Sequence, residues 1–381
     1  MPNFRFNLPT LGQLTPEQQI ALMSNESILV SGGPGSGKTV VSVRRLLRLK
    51  QGNQKVKLFT FNRTLMAAIR GLARSENFEP NIVDSFYDWY YSNTNGIFAN
   101  DNAQQISQRF ANYSQANGGR FSEILIDEAQ DFEHRIIQSL NALATRVSCG
   151  ADRDQDIRNI YGNNAEEQIG AILSGFENFQ EQLLGSNFRN TKEIFAFARK
   201  FVPNNPRPNR INLETLPVGD KPELYDHLNH NQQLERIKEV VSLNQANSNI
   251  GILVHYNKEV DRIRNYFAIN QITHSYYYKG MNRNDQIETE NNLQTPFITT
   301  FASCKGLEFD IVILPFFDCS DYALTHTYPD GRPHSTNKFY YVAATRARRQ
   351  LFVFYDKFPN IFSNFDRGLY KLNGNEQLFN F

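Results

Sequence analysis

Short apolar runs alternate with amphipathic stretches along the chain, and the runs come in two series. The first comprises Ser27–Val30, Val56–Phe61, Asn81–Val83, Ile124–Ile126 and Thr145–Cys149. The second comprises Asn249–His255, Thr273–Tyr277, Phe297–Thr300, Ile311–Leu314 and Gln350–Tyr355. Runs this short and this apolar read as strands buried on both faces, joined by helical crossovers. The alternation predicts an α/β architecture of two tandem, mainly parallel sheets flanked by helices, divided near residue 180. The proline-rich stretch Pro203–Asn209 cannot be regular helix and marks a loop in the second unit. The chain shows no repeat at solenoid spacing and no long low-complexity tract.

One loop changes this picture from architecture to chemistry. The strand Ile28-Leu29-Val30 runs into Ser31-Gly32-Gly33-Pro34-Gly35-Ser36-Gly37-Lys38-Thr39, which fits the phosphate-cradling pattern G-x-x-x-x-G-K-[ST]. Gly33, Gly35, Ser36 and Gly37 would turn backbone N–H groups onto a triphosphate, Lys38 would reach its β and γ oxygens, and the Thr39 hydroxyl would ligate Mg²⁺. The helix expected from Thr39 to Leu49 points its positive end at the same anion. A second strand, Glu123–Ile126, ends in Asp127-Glu128. Asp127 is placed to hold Mg²⁺, and Glu128 to orient and deprotonate an attacking water, which a hydrolase needs and a kinase does not. ATP and Mg²⁺ are therefore the expected cofactors.

Composition adds bounds. At 381 residues, 40% hydrophobic and 21% charged, the chain can bury two ordinary cores, and no apolar run approaches membrane-spanning length. No membrane partner is expected, and the opening Met1–Arg5, which lacks an apolar leader, points to the cytoplasm. Cys149, Cys304 and Cys319 have neither metal-ligand nor disulfide spacing and read as buried apolar residues. The net charge of +1 makes any nucleic-acid contact a local groove and not a global field.

Further motifs follow in order. Leu14-Thr15-Pro16-Glu17-Gln18 precedes the phosphate loop; Asp127-Glu128-Ala129-Gln130-Asp131 and Gly150-Ala151-Asp152-Arg153-Asp154-Gln155 follow it. The second half holds Ser186-Asn187-Phe188-Arg189-Asn190-Thr191, Thr300 through Phe309 with Lys305-Gly306-Leu307-Glu308-Phe309, and Tyr341-Val342-Ala343-Ala344-Thr345-Arg346-Ala347. In this order the set resembles the UvrD/Rep-like superfamily 1 helicases over nearly the whole chain. The resemblance implies two RecA-like domains, an N-terminal one at 1–180 and a C-terminal one at 181–360 carrying arginine fingers, with a tail at 361–381. It assigns Gln18 to the adenine edge, Asp152 and Gln155 to γ-phosphate sensing, Arg189 and Arg346 to the transition-state charge, and Glu308 to the ribose hydroxyls. It gives the strand Phe61, Asn62, Ser85, Phe86 and Ser303.

The implied activity is an ATP-dependent translocase or helicase on single-stranded DNA, moving 3′ to 5′, with single-stranded RNA as the alternative substrate. Two departures bear on strand handling. Ala302 replaces the usual His, and Ile160 stands where a stacking Trp is usual, so that either Tyr161 substitutes through a small local shift or base stepping is altered. The intervals that hold accessory insertions in large relatives are short, about residues 92–122 and 265–296. The alternative is therefore an ATP-driven subunit that regulates a partner, such as a nuclease in DNA repair or antiviral defence, without opening duplexes itself. The tail Gln377-Leu378-Phe379-Asn380-Phe381 resembles a sliding-clamp peptide only faintly and reads as a terminus.

Overall fold

A computed structural model describes residues 8–162, 164–176, 178–205, 211–318 and 336–374. The loop expected at Pro203–Asn209 lies partly outside these residues, and Cys319 and the tail Gln377–Phe381 lie wholly outside them. The chain divides into two compact units, with the boundary between Ser186 and Asn187.

The first unit runs α1 (Pro16–Met23), β1 (Ser27–Gly32), α2 (Lys38–Gln51), β2 (Val56–Thr60), α3 (Arg63–Ser75), β3 (Val83–Ser85), α4 (Phe86–Thr94), α5 (Ala103–Ala116), β4 (Phe121–Asp127), α6 (His134–Ser139), β5 (Ala144–Ala151), α7 (Ala165–Leu173) and β6 (Phe179–Leu184). Its sheet has the order β3-β2-β4-β5-β1-β6, and every pairing is parallel. β4 and β5 lie between β1 and β2, so the carboxyl ends of β1, β4 and β5 are neighbours. Ligands of open parallel sheets bind where the strand order switches in this way.

Local sequence sets the helix starts. Thr15 and Gln18 form a reciprocal capping box before Pro16 opens α1, and the Asn62 side chain accepts from Thr64 N at the start of α3. Gly37, at φ 91°, turns the chain into α2. The core beneath is aromatic: Phe59, Phe86, Trp89, Tyr90, Phe110 and Phe132 pack together. At the amino end of β4, Glu123 is fully buried. Arg45 Nε donates to it at 2.5 Å, Arg146 Nε at 3.1 Å and Ser148 Oγ at 2.5 Å. The carboxylate is matched by specific donors, which is how its burial is tolerated.

The second unit contains α8 (Lys192–Ala198), β7 (Glu223–Tyr225), α9 (His230–Asn244), β8 (Ile250–Val254), α10 (Asn257–Ile269), β9 (Ser275–Tyr277), α11 (Arg283–Asn291), β10 (Phe297–Thr300), β11 (Phe309–Leu314), α12 (Thr336–Ala344), β12 (Ala347–Phe354) and β13 (Lys371–Asn373). Its sheet is also parallel throughout, in the order β13-β7-β12-β11-β8-β10-β9. The α/β class with two parallel, helix-flanked sheets is thus the one observed. No helix among the described residues is long and apolar enough to cross a membrane. Cys149 and Cys304 are buried and free, and burial pushes the Cys304 thiol up to about 11.

Candidate nucleotide site and strand face

The phosphate loop closes on itself. Gly35 and Gly37 take positive φ, and a Cβ on Gly32 would lie 2.6 Å from Ser36 Oγ and 2.7 Å from the Leu184 carbonyl oxygen. Lys38 opens α2, its Nζ donating to the carbonyls of Gly32 at 2.7 Å and Gly33 at 3.0 Å, 3.6 Å from Asp152 Oδ2. Ser36 Oγ is buried and makes no hydrogen bond among the described residues. A loop that leaves a buried hydroxyl unsatisfied and folds its ammonium onto its own carbonyls has donors to give an anion.

Gln18 is placed differently from the role expected of it. Its Oε1 accepts from Thr15 N at 2.9 Å and its Nε2 donates to Ser36 O at 2.9 Å. The side chain is buried against Gly37, whose added Cβ would come within 2.4 Å of Nε2. Both ends of the amide are engaged, because a buried carboxamide must satisfy its polar atoms. Gln18 thus links the loop to the start of α1.

The acid-ended strand meets the loop. Thr39 Oγ1 donates to Asp127 Oδ2 at 2.8 Å, which brings the two expected Mg²⁺ ligands together. Burial, then the neighbouring Glu128, pushes the Asp127 carboxyl up to about 7. A hydroxyl and a carboxylate oxygen are the hard donors Mg²⁺ takes, with phosphate and water completing its shell, so the pair fits that ion. Glu128 stands in the left-handed region at φ 56°, and its Oε2 accepts from Gln130 Nε2 at 2.5 Å. Gln130 Oε1 in turn accepts from Asp152 N at 3.1 Å. Gln155 Nε2 donates to Asp152 Oδ2 at 2.6 Å. Lys38, Thr39, Asp127, Glu128 and Gln155 therefore share one hydrogen-bonded edge.

In the second unit, Arg189 Nε donates to Glu308 Oε2 at 3.1 Å and its Nη1 to the Thr345 carbonyl at 3.4 Å. Asn190 Nδ2 donates to the same carbonyl at 3.2 Å and to that of Ala347 at 2.5 Å. Arg346 is buried, with Nε on Val342 O at 3.0 Å and Nη1 on Leu307 O at 3.3 Å. Glu308 and Arg346 immediately precede β11 and β12, so Arg189, Glu308 and Arg346 gather at the amino ends of those neighbouring strands.

The strand contacts expected in the first unit lie close to the paired ends of β2 and β3, where Thr60 is in register with Ser85, but most of them are buried. Phe86 is fully buried in the aromatic core. Tyr161 is 3% exposed, donates from its hydroxyl to Phe132 O at 2.6 Å and lies 4.3 Å from the His134 ring. A ring packed on this scale offers no face to a base, so burial stands against the strand contact expected of Phe86 and the stacking expected of Tyr161. Ser85 N donates to Met66 Sδ at 3.1 Å, and the buried Asn62 caps α3. Ser303, also buried, accepts from Thr300 Oγ1 at 3.1 Å. Phe61 alone is half-exposed, with the guanidinium of Arg158 over its ring at 4.5 Å. No motif singled out Arg158; the signal was indirect, the missing aromatic at Ile160.

A glycine loop leading from a parallel strand into a helix, with an acid-tipped strand one place away in the same sheet, defines the P-loop class of α/β fold. The chain belongs to the Schlafen group 3 DNA/RNA helicase-domain family, whose model matches residues 25–315. Among solved structures it is similar to the C-terminal domain of a "possible DNA helicase" from Lactobacillus plantarum WCFS1. Identity there is 18% and the TM-score 0.36, over 49% of this chain and 99% of the other. It is also similar to arterivirus nonstructural protein 10, a helicase solved with DNA, at 14% identity and TM-score 0.41 over 91% of this chain. The match spans 64% of the arterivirus protein's length. No curated protein matches the chain.

Proposed function

We propose that the chain is an ATP-driven translocase on single-stranded nucleic acid, of the UvrD/Rep-like kind and moving 3′ to 5′ on DNA. The observation that supports it most is the 2.8 Å contact of Thr39 with Asp127, which joins the phosphate loop to the acid-tipped strand. In this reading Lys38 leaves the carbonyls of Gly32 and Gly33 for the β and γ oxygens, and Ser36 and the loop N–H groups hold the remaining phosphate charge. Mg²⁺, held by Thr39 and Asp127, supplies charge neutralisation on the triphosphate when bound. Glu128 takes the proton of the attacking water, with Gln130 fixing its carboxylate, and Gln155 orients that water. Arg189 and Arg346 add positive charge to the transferring phosphoryl group, and Glu308 accepts from the ribose.

The test is ATP hydrolysis by the purified chain with and without single-stranded DNA or RNA. Stimulation by either supports the reading; indifference to both counts against it. The burial of Phe86 and Tyr161 favours a second reading, in which nucleotide turnover drives a protein partner. Stable copurification of such a partner, with no strand displacement by the lone chain, would select it.

A further inference from the structure

Phe61 follows directly on β2, whose last residue, Thr60, lies in register with Asp127 of β4. The Phe61 ring is half-buried and meets Tyr87 edge-on at 5.8 Å and Phe132 at 6.4 Å. Arg158 crosses its remaining face, the guanidinium carbon 4.5 Å from the ring centroid, and its Nη1 donates to Asp131 O at 2.8 Å. The neighbouring arginines are all ion-paired: Arg63 with Asp88, Arg135 with Glu133, and Arg153 with Glu166 and Glu167. Arg158 has no carboxylate within ion-pair distance among the described residues. It is also half-buried, so part of it reaches solvent.

A single strand asks two things of its contact, a planar surface on which a base can stack and a positive charge near the backbone. A guanidinium provides both, and an aromatic ring beneath it holds it by cation–π attraction. We propose that Arg158, carried on Phe61, is the base-stacking contact of the first unit, serving where Ile160 has no ring and Tyr161 is buried. The inference rests on the reading of the chain as a single-strand motor. The same guanidinium is tied to the nucleotide edge at two points. Asp131 N donates to Glu128 O at 2.9 Å, and Arg158 stands three residues beyond Gln155. A shift of either loop therefore moves the stacking surface.

The test compares binding of a fluorescent oligothymidine and an abasic strand of equal length to the full chain and to its R158A and R158K variants. Melting at the wild-type temperature serves as the check on folding. The wild type should prefer the strand with bases by about tenfold, the worth of one stacked base. Both variants should bring that ratio close to one, and R158K, which keeps the charge, should retain most of the affinity for the abasic strand. A wild-type ratio in both variants overturns the assignment, as does a wild type that binds the two strands equally. A wild type that binds neither strand instead removes the motor reading itself.

Discussion

Gln18 ties the phosphate loop to the start of α1, its Nε2 donating to Ser36 O and its Oε1 accepting from Thr15 N, and that decides what its loss should do. An adenine reader, once removed, would erase discrimination between ATP and GTP. A brace, once removed, loosens the loop for every triphosphate alike. Gln18→Ala should therefore raise KM for ATP and GTP together, by up to about tenfold for the one buried hydrogen bond lost at the loop, with the ratio between them unchanged. Steady-state kinetics with both nucleotides decides it; a selective loss for ATP would restore the reader. Lys38→Ala should lower turnover on the order of 10²- to 10³-fold, followed by phosphate release. The loop and its lysine were legible in the sequence because their chemistry depends on local spacing. The commitment of Gln18 was not, since it depends on Ser36 O, eighteen positions away, coming within 2.9 Å. Arg158 was hidden for the same reason, its partners Phe61 and Asp131 lying on other loops.

Strands β1, β2, β4 and β8 are almost wholly buried, and their largely apolar runs announced them. β6, with the sequence Phe-Gln-Glu-Gln-Leu-Leu, lies at a sheet edge with most positions partly or fully exposed, and no apolar run marks it. β7 and β13 are three residues each, and β13 is an exposed edge, too short and too polar for periodicity to show. The expected strand at Asn81–Val83 begins two residues later, because Pro80–Ile82 forms a 3₁₀ turn. Within β4, Glu123 is a charged residue in an otherwise apolar run, and its burial gives the element a weak point far from the nucleotide edge. Glu123→Ala should lower stability by about 3–5 kcal/mol, since it strands Arg45 with its charge uncompensated. Urea denaturation measures this; a loss below about 1 kcal/mol would mean that water or a rearranged side chain relieves Arg45. On the adjoining loop, Tyr161→Phe removes only the bond to Phe132 O. It should cost about 1 kcal/mol of stability and leave strand affinity untouched, the opposite of what a stacking tyrosine would show.

A chain of net charge +1 cannot hold a nucleic acid by its overall field, so binding depends on a few placed contacts. The logarithm of strand affinity should then fall with the logarithm of salt at a slope of about −1 to −3, since each neutralised phosphate on a single strand contributes roughly −0.7. A much steeper slope would reveal an extended basic track. The tandem α/β plan could be read from two series of apolar runs, whereas the placement of the strand contacts could not, because Phe61, Phe86 and Tyr161 look equally aromatic in sequence and differ only in burial. The contacts of the phosphate-loop lysine also bear on small anions. With Lys38 already seated on the carbonyls of Gly32 and Gly33, the loop acts as its own competing ligand. On the proposed reading a triphosphate exchanges those partners for its own oxygens, and a lone phosphate or sulfate ion, with fewer oxygens to offer, should compete with ATP only weakly.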